Sequence, residues 1–315
     1  MREILSEQAI VTRGLLKRYG KLVAVNGLEM RVPSGSVYGF LGRNGAGKTT
    51  TIKLLMGLAR PNAGSASVLG FDAARERMEI LRRVAFVGEN KVLYDQLTPA
   101  EMVRFTRSFY PRWSDAAAEQ CAQRLEIPMQ QRFKNLSKGN RAKVWLLLAL
   151  GQAAELLVLD EPTVGLDPFM VDALLKILAE DAATGSRTVF FSSHHLAEVE
   201  QICDWVGIVD EGRMLLEARL DDIREHFRLV IAAGRDLPAG KLAPVVAAAR
   251  NGLFSRYVLA RDAEGFAAGL RAQGAAVTEV TPLSLREVFI ELVRKEETCT
   301  SGNAGVTHAV PSLSS

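Results

Sequence analysis

The sequence has 315 residues, enough for one large domain and a smaller one, and its 48% hydrophobic and 24% charged residues are typical of a globular protein. A formal net charge of only +3 gives no support for nucleic acid or an anionic membrane surface as a main partner. Three widely spaced cysteines, Cys121, Cys203 and Cys299, exclude a disulfide framework and a zinc pattern and fit a reducing compartment. We expect no secretory signal at the acidic N-terminus, and the most apolar segment, residues 144–150, is shorter than the roughly 20 residues that a spanning helix needs.

The first part of the chain is predicted to be β-structure that leads into a glycine-rich turn. Between residues 10 and 41, β-prone residues alternate with turn signals, and this pattern predicts several short strands. The turn signals are Tyr19-Gly20, Asn26-Gly27 and Pro33-Ser34-Gly35. The last strand, Val37 to Leu41, runs straight into the glycine-rich turn, and the apolar spacing from Thr50 to Leu58 predicts a helix after it.

The middle of the chain changes from helical to strand patterns. From Thr98 to Gln152, helical periods with Pro99 in a first turn predict a helical subdomain. Continuous apolar runs then predict strands that are buried on both faces. These runs are Leu156 to Leu159, Thr188 to Phe191 and Val206 to Val209.

The last part of the chain has a weaker β/α pattern. The charged stretch from Asp221 to Glu225 indicates a boundary, and a helix begins where Ser284 and Glu287 form a capping box. Between them we predict three strands, which are Leu229 to Ala232, Tyr257 to Ala260 and Ala276 to Val280. From residue 297 onward Ser, Thr, Gly and Pro predominate, and this tail is expected to be disordered.

The glycine-rich turn matches the phosphate-binding pattern G-x-x-x-x-G-K-[ST]. Its glycines let successive backbone N–H groups turn toward phosphate oxygens, and the following helix directs its positive end at the same anion. Lys48 is expected to reach the β- and γ-phosphates of ATP, and the Thr49 hydroxyl to bind Mg²⁺. A surface glycine turn is the alternative, but the flanking strand and helix favour the phosphate site. The predicted nucleotide contacts here are Gly42, Asn44, Gly45, Ala46, Gly47, Lys48, Thr49 and Thr50.

Two carboxylates follow the apolar strand that begins at Leu156. We expect Asp160 to contribute to the Mg²⁺ site and Glu161 to polarise the water that attacks the γ-phosphate. An acidic pair in this position could equally cap the next helix. Its combination with the phosphate loop favours the catalytic interpretation.

Seven elements in one order along the chain resemble the ABC ATPase family over roughly residues 10–220. They are Tyr19, the phosphate loop, Glu89, the segment Leu136-Ser137-Lys138-Gly139-Asn140, the pair Asp160-Glu161, the segment Val164 to Asp167, and His194. The resemblance implies an α/β fold, a P-loop NTPase ABC cassette with a RecA-like core, an antiparallel β subdomain and a helical subdomain, followed by a small α+β domain. The predicted bounds are 8–222 for the cassette, about 92–152 for its helical subdomain, 226–296 for the small domain and 297–315 for the disordered tail.

The resemblance also implies roles for the residues outside the phosphate loop. Tyr19 is expected to stack on adenine, since an aromatic face binds a base with little specificity. Ser137 and Gly139 are expected at a helix N-terminus that reaches the γ-phosphate bound to another subunit. Asp167 is expected to link the two sites, although Val164 to Pro168 could be only a turn before a helix.

A histidine and a dimer complete the site that the resemblance implies. His194 is expected to contact the γ-phosphate, and its neighbour His195 is the rival for this role. Two ATP molecules are expected between two subunits in a head-to-tail dimer of this chain with itself or with a paralogous ATPase subunit. The catalytic residues are then Lys48, Glu161 and His194.

Two segments depart from the family pattern. Lys138 adds a positive charge in the segment that usually reads L-S-G-G-Q, and Asn140 shortens its last side chain. Either Lys138 retunes the anion site or it points to solvent. Glu89 replaces the usual glutamine near Mg²⁺, so we predict a stricter Mg²⁺ dependence, because a carboxylate repels the γ-phosphate when no metal lies between them. Nucleotide affinities of Glu89→Gln with and without metal test this prediction.

The leading hypothesis is an ATP-hydrolysing subunit that powers transport through separate transmembrane subunits at the cytoplasmic face of the cell membrane. Residues 89–136 then include the surface that grips those subunits, and the resemblance of the C-terminal extension to the drug- and antibiotic-export branch favours export. A soluble ABC ATPase acting on nucleic acid or ribosomes is disfavoured, because the sequence contains one phosphate loop and no long coiled coil. A regulatory subunit with little turnover is disfavoured because Lys48, Asp160, Glu161 and His194 are all present.

Overall fold

The computed structural model describes residues 7–88, 94–183, 187–234, 245–251 and 253–294. The chain divides into two compact units. The first runs up to Cys203 and includes Glu211–Arg213, and the second comprises Asp204–Asp210 and the chain from Met214 onward. The predicted domain bounds remain predictions, and the predicted tail, residues 297–315, lies outside the described residues.

The first unit begins with an antiparallel sheet of four strands in the order β2-β1-β4-β5. These strands are β1 (Gln8–Tyr19), β2 (Leu22–Pro33), β4 (Ala63–Val68) and β5 (Phe71–Asp72). The prediction of several short strands was wrong in this region, because β1 and β2 are single strands of 12 residues each. Their register shifts near Gly14 (φ 55°) and Gly27 (φ 68°). The Asn26-Gly27 turn signal therefore marks a bulge within β2 rather than a chain reversal.

A parallel sheet forms the centre of the first unit. Its strands in this unit lie in the order β3-β8-β7-β6. They are β3 (Val37–Leu41), β6 (Val84–Val87), β7 (Leu156–Asp160) and β8 (Thr188–Ser193). Every residue of β3, β7 and β8 is buried, and the continuous apolar runs predicted this for β7 and β8. Because the strands are parallel, the carboxyl ends of β3, β7 and β8 meet at one edge of the sheet.

Seven helices accompany these strands among the described residues of the first unit. They are α1 (Lys48–Leu55), α2 (Arg77–Leu81), α3 (Pro99–Arg107), α4 (Asp115–Arg124), α5 (Lys138–Gly151), α6 (Pro168–Ala183) and α7 (Leu196–Ile202). Helix α3 begins at a capping box of Thr98 and Glu101, and Ser137 caps α5. The predicted helical character of residues 98–152 is confirmed, with α3, α4 and α5 in this range.

Helix α7 packs unusually closely against β3. A Cβ atom at Gly39 would lie 2.8 Å from both Cys203 Sγ and Val199 Cγ1, closer than side chains pack in folded proteins. Glycine at position 39 therefore allows α7 to rest on the backbone of β3.

The second unit contains strands β9 (Trp205–Asp210) and β10 (Arg213–Arg219), which are neighbours, and a separate antiparallel sheet in the order β12-β13-β11-β14. The strands of this sheet are β11 (Arg228–Ala233), β12 (Val245–Asn251), β13 (Phe254–Leu259) and β14 (Ala276–Pro282). The helices of the unit are α8 (Leu220–His226), α9 (Ala263–Ala272) and α10 (Leu285–Val293). One face of the sheet packs against α9 through a cluster that includes Val230, Tyr257, Leu259 and Leu270.

Sequence patterns predicted this second unit only in part. Four of its strands, β9, β11, β13 and β14, and the capping box of α10 are confirmed. Strand β12 and helix α9 were not predicted, because the alanine-rich sequence of β12 has a low strand propensity and acquires its strand state by pairing with β13. The charged stretch at residues 221–225 forms part of α8. None of the helices in the described part of the chain combines the length and apolarity needed to cross a bilayer.

Candidate functional site

The glycine-rich turn lies between the end of β3 and the start of α1, at the carboxyl edge of the parallel sheet. Gly45 (φ 85°) and Gly47 (φ 100°) adopt left-handed backbone conformations that L-residues rarely take. A side chain at Gly47 would also collide with the carbonyl oxygen of Ala24. Helix α1 begins directly after Gly47 with neither a capping side chain nor an acidic residue in its first turn. Its first N–H groups can therefore receive an anion.

Lys48 lies buried within this turn and is held by three oxygen atoms. Its Nζ donates to the carbonyl oxygens of Gly42 at 2.7 Å and Arg43 at 3.2 Å. It also forms an ion pair with Glu161 Oε1 at 3.0 Å. An ammonium group has three donors, so an incoming phosphate oxygen must replace one of these partners.

Asp160 and Glu161 lie where β7 ends, and a serine of the neighbouring strand β8 organises both. The Ser192 hydroxyl donates to Asp160 Oδ1 at 2.7 Å and accepts from the Glu161 backbone N–H at 3.0 Å. Asp160 is 1% exposed and Glu161 is 7% exposed. Glu161 also has a left-handed backbone (φ 48°), a conformation that costs a non-glycine residue on the order of 1 kcal/mol. Sequence reasoning missed Ser192, although a polar residue at the end of an apolar strand was a usable signal.

The Glu161 carboxylate bridges Lys48 and His194. Its Oε1 pairs with Lys48, and its Oε2 lies 2.8 Å from His194 Nδ1. The rival His195 is exposed, and its ring lies against that of His194 with 3.9 Å between centroids. The structure thus brings three predicted catalytic residues together and places His194 rather than His195 against the carboxylate.

Four other predicted site residues, Tyr19, Ser137, Gly139 and Asp167, lie on other elements than the three catalytic residues. Tyr19 ends β1 and is 48% exposed, with Lys17 Nζ 5.0 Å from its ring centroid. The Ser137 hydroxyl accepts from the Asn140 N–H at 3.1 Å, and Gly139 has free space where a Cβ would lie. Asp167 Oδ1 accepts from the Met170 N–H at 3.1 Å at the start of α6. In the described part of the chain, none of these four hydrogen-bonds to Lys48, Asp160, Glu161 or His194.

Lys138 has an exposed position but contacts a neighbouring loop. Its ammonium group reaches Gly165, where any side chain would overlap it. Gly165 lies in the Val164 to Asp167 segment and has a φ of 78°. Lys138 therefore joins the start of α5 to this loop while remaining open to solvent.

Two described residues offer oxygen ligands of the kind that Mg²⁺ prefers. Thr49 lies in the first turn of α1, Asp160 lies at the end of β7, and α1 packs against β7. Glu89, the third predicted ligand, lies outside the described residues. The described residues contain no group of three or more His, Cys, Asp or Glu side chains that could hold a metal alone. This donor set fits Mg²⁺, which binds through one or two protein oxygens together with phosphates and water.

Comparisons with known proteins agree with this geometry. A family model described as ABC transporter matches residues 25–164. The bacitracin transport ATP-binding protein BcrA of Bacillus licheniformis is 38% identical over 224 residues, which cover 70% of this chain and 72% of that protein. The Nod factor export ATP-binding protein I of Burkholderia orbicola is 33% identical over 90% of this chain and 96% of its own length.

Solved structures show the same fold. The ATP binding subunit of an ABC transporter aligns with a TM-score of 0.62 at 31% identity, over 69% of this chain and 92% of that chain. A dimeric cassette bound to ADP and Pi aligns with a TM-score of 0.60 at 20% identity, over 67% of this chain and 98% of that chain. The predicted fold class is confirmed. The chain therefore belongs to the ABC transporter family, in which it is an ATP-binding and ATP-hydrolysing subunit that acts with separate membrane components.

Proposed function

We propose that this chain powers the export of small molecules through separate membrane subunits, with Lys48, Glu161 and His194 as its catalytic residues. The observation that carries the site assignment is the Glu161 carboxylate held between Lys48 and His194. Export is supported by relatives named for bacitracin transport, daunorubicin resistance and Nod factor export. The chain is then held at the cytoplasmic face of the membrane by its membrane subunits.

Phosphoryl transfer needs little covalent chemistry from a protein, so catalysis depends on positioning and electrostatics. The loop N–H groups and the N-terminus of α1 bind the phosphates, and Lys48 binds the β- and γ-phosphate oxygens. Because Lys48 already uses three donors, a phosphate oxygen must replace one partner of its ammonium group, and in this proposal it replaces Glu161. Glu161 Oε1 is then free to accept a proton from the attacking water, while His194 Nδ1 keeps Oε2 in place.

Mg²⁺ is held by Thr49 and Asp160 in this proposal, with Glu89 as the further ligand. The metal neutralises charge on the β- and γ-phosphates when it is bound. Ser192 fixes Asp160 through Oδ1 at 2.7 Å, which leaves Oδ2 for the metal. Burial of Asp160 keeps its carboxylate in one orientation.

The remaining predicted residues act in a dimer. Tyr19 stacks on adenine, and its exposed ring leaves a face for the base. Ser137 and Gly139 act on the γ-phosphate of the partner subunit, and Asp167 links the two sites. Ser137 and Asp167 hydrogen-bond only to the starts of their own helices within the described residues, which supports action on a second chain. Whether this is a second copy or a paralogous subunit decides the symmetry of the transporter.

The membrane subunits contact an aromatic patch formed by Tyr94, Phe105 and Phe109. The rings of Tyr94 and Phe105 lie 6.5 Å apart, and those of Phe105 and Phe109 lie 5.1 Å apart. All three side chains are about half exposed or more. Exposed aromatic clusters of this kind are typical of protein interfaces. The patch also lies within residues 89–136, where the sequence predicted this surface.

The experiment that tests the function uses the full chain co-expressed with its membrane subunits in inside-out vesicles. ATP is expected to drive accumulation of an exported compound in these vesicles, and Lys48→Ala is expected to abolish it. Phe105→Ala is expected to reduce copurification with the membrane subunits while leaving nucleotide binding unchanged. Recovery of the chain only with ribosomes or nucleic acid, or accumulation that is unaffected by Lys48→Ala, would contradict the proposal.

A further inference from the structure

We propose that Glu198 is a positioning residue for ATP hydrolysis, whose buried carboxyl group holds the turn that directs His194 at Glu161. Glu198 lies in α7 and is 6% exposed. It belongs to none of the sequence elements that carried the family resemblance. The inference rests on the proposed role of His194.

A directed chain of hydrogen bonds connects Glu198 to the histidine turn. The backbone N–H of His195 donates to Ser193 Oγ at 2.9 Å, and Ser193 Oγ donates to Glu198 Oε2 at 2.8 Å. Because a backbone N–H can only donate, the Ser193 hydroxyl accepts the hydrogen bond from His195 and donates its own hydrogen bond to Glu198. Glu198 thus fixes the hydroxyl rotamer of Ser193, and this hydroxyl fixes the peptide between His194 and His195.

The two serines at the end of β8 hydrogen-bond to different parts of the site. Side chains alternate along a strand, so Ser192 and Ser193 point to opposite faces of the sheet. Ser192 holds Asp160 and the Glu161 backbone, whereas Ser193 holds the histidine turn. The Ser193 carbonyl also accepts from the Gly42 N–H at 3.3 Å, which ties the same residue to the phosphate loop.

Helix α7 gives Glu198 a fixed support. The next residue, Val199, packs against Gly39 of β3, as does Cys203, which follows the helix. This close packing limits the movement of α7 relative to β3. The Glu198 carboxyl group and the Ser193 hydroxyl therefore hold each other, and the orientation of the histidine turn depends on both.

The chemistry of Glu198 argues against a purely structural role. Within the described residues no cation pairs with it, although burying a carboxyl group without an ion partner is costly. A buried acceptor aimed at Ser193 is explained by the need for one orientation of the histidine turn.

The test compares Glu198→Ala, Glu198→Gln and the control Gln201→Ala in the full chain. Glu198→Ala is expected to lower kcat about tenfold and to change KM for ATP less than about twofold, because misplacing a catalytic group slows the chemical step. Glu198→Gln is expected to stay within about twofold of the parent, because the amide oxygen can still accept from Ser193. Gln201→Ala removes a different hydrogen bond of α7, the exposed one from Gln201 Nε2 to Asp172 Oδ1, and is expected to leave kcat unchanged.

A double-mutant cycle separates positioning from general weakening of the fold. In a His194→Ala background, Glu198→Ala is expected to lower kcat by less than about twofold further, because its effect passes through His194. An equal loss in both backgrounds would overturn the proposal, as would equal rates for Glu198→Ala and the parent. If Glu198→Ala does not fold, Ser193→Ala takes its place with the same expected loss and the same contradictory outcomes.

A spectroscopic measurement tests the geometry without reference to turnover. The chain has four histidines, so the ring signals of ¹⁵N-labelled histidine can be assigned by substitution. We expect His194 to show one dominant tautomer in the parent and in Glu198→Gln, and a mixture in Glu198→Ala. An unchanged tautomer in Glu198→Ala would refute the positioning role. Normal hydrolysis by His194→Ala would instead refute the proposed role of His194 and leave this measurement valid.

Discussion

The carboxyl edge of the parallel sheet and the antiparallel sheet of the second unit differ in how many polar residues they bury. At the edge, six buried polar residues lie in or next to four elements, α1, β7, β8 and α7; they are Lys48, Asp160, Glu161, Ser192, Ser193 and Glu198. In the described part of the second unit, the enclosed polar groups are Ser255 and the carboxylate of Glu291, which pairs with Arg256. Because burying polar groups costs stability, their concentration marks the region whose structure serves chemistry.

The largest effect should follow from replacing the carboxylate at the centre of the polar edge. Glu161→Gln is expected to lower kcat about a thousandfold while ATP still binds, because an amide cannot accept the proton of the attacking water. Steady-state hydrolysis and direct nucleotide binding measure the two quantities. Glu155→Gln is the matched control, since Glu155 precedes the same strand and pairs with Arg83 and Arg112 at the surface. Equal rates for Glu161→Gln and the parent would remove Glu161 from its role.

A substitution in the apolar core of the second unit should lower the stability of the protein without changing its affinity for ATP. Leu259→Ala empties a fully buried position in the second unit and is expected to cost about 3 kcal/mol of unfolding free energy. Denaturant unfolding measures this loss, and ATP affinity is expected to stay unchanged because every predicted nucleotide contact lies in the first unit. A large change in ATP affinity at temperatures where the variant is folded would contradict the prediction that this core does not influence nucleotide binding.

Two glycines of the phosphate loop separate backbone strain from steric overlap. Gly47→Ala introduces both a disfavoured φ and a collision with the Ala24 carbonyl. Gly45→Ala introduces only the strain, since its Cβ would meet open space. We expect a cost of about 1–2 kcal/mol for Gly45→Ala and a larger cost for Gly47→Ala, together with weaker ATP binding. Similar thermal unfolding of the two variants would show that the collision is relieved by movement of the backbone.

The smallest expected effect is the loss of unfolding free energy when a helix cap residue is replaced, and this loss should be equal in the two units. Ser284→Ala removes the capping box of α10 and is expected to cost about 1 kcal/mol, and Thr98→Ala is expected to cost the same at α3. The backbone N–H of each cap residue lowers the pKa of its partner, Glu287 or Glu101, below the ordinary value of 4.5. A lowered pKa stabilises the fold above about pH 4.5 and loses this contribution as the pH falls through the folded-state pKa. Unfolding at pH 7 and pH 3 measures both effects, and unequal costs at pH 7 would contradict local control of capping.

Features that depend on neighbouring residues were predictable from the sequence. The phosphate loop, the strand before it, the buried strands β7 and β8 and the capping box of α10 all depend on local patterns. The glycine at position 47 is an example, because its φ of 100° is a backbone conformation that strongly favours glycine. Such features are encoded within a few residues, so one sequence is enough to find them.

Tertiary structure decided the features that depend on distant residues. The pairing of β12 with β13 overrode the low strand propensity of alanine, and bulges at Gly14 and Gly27 joined predicted short strands into long ones. The placement of His194 against Glu161 required β7 and β8 to be neighbours, and the bond of Glu198 to Ser193 required α7 to rest on Gly39. These contacts come from packing between segments far apart in the chain, and local patterns carry no information about them.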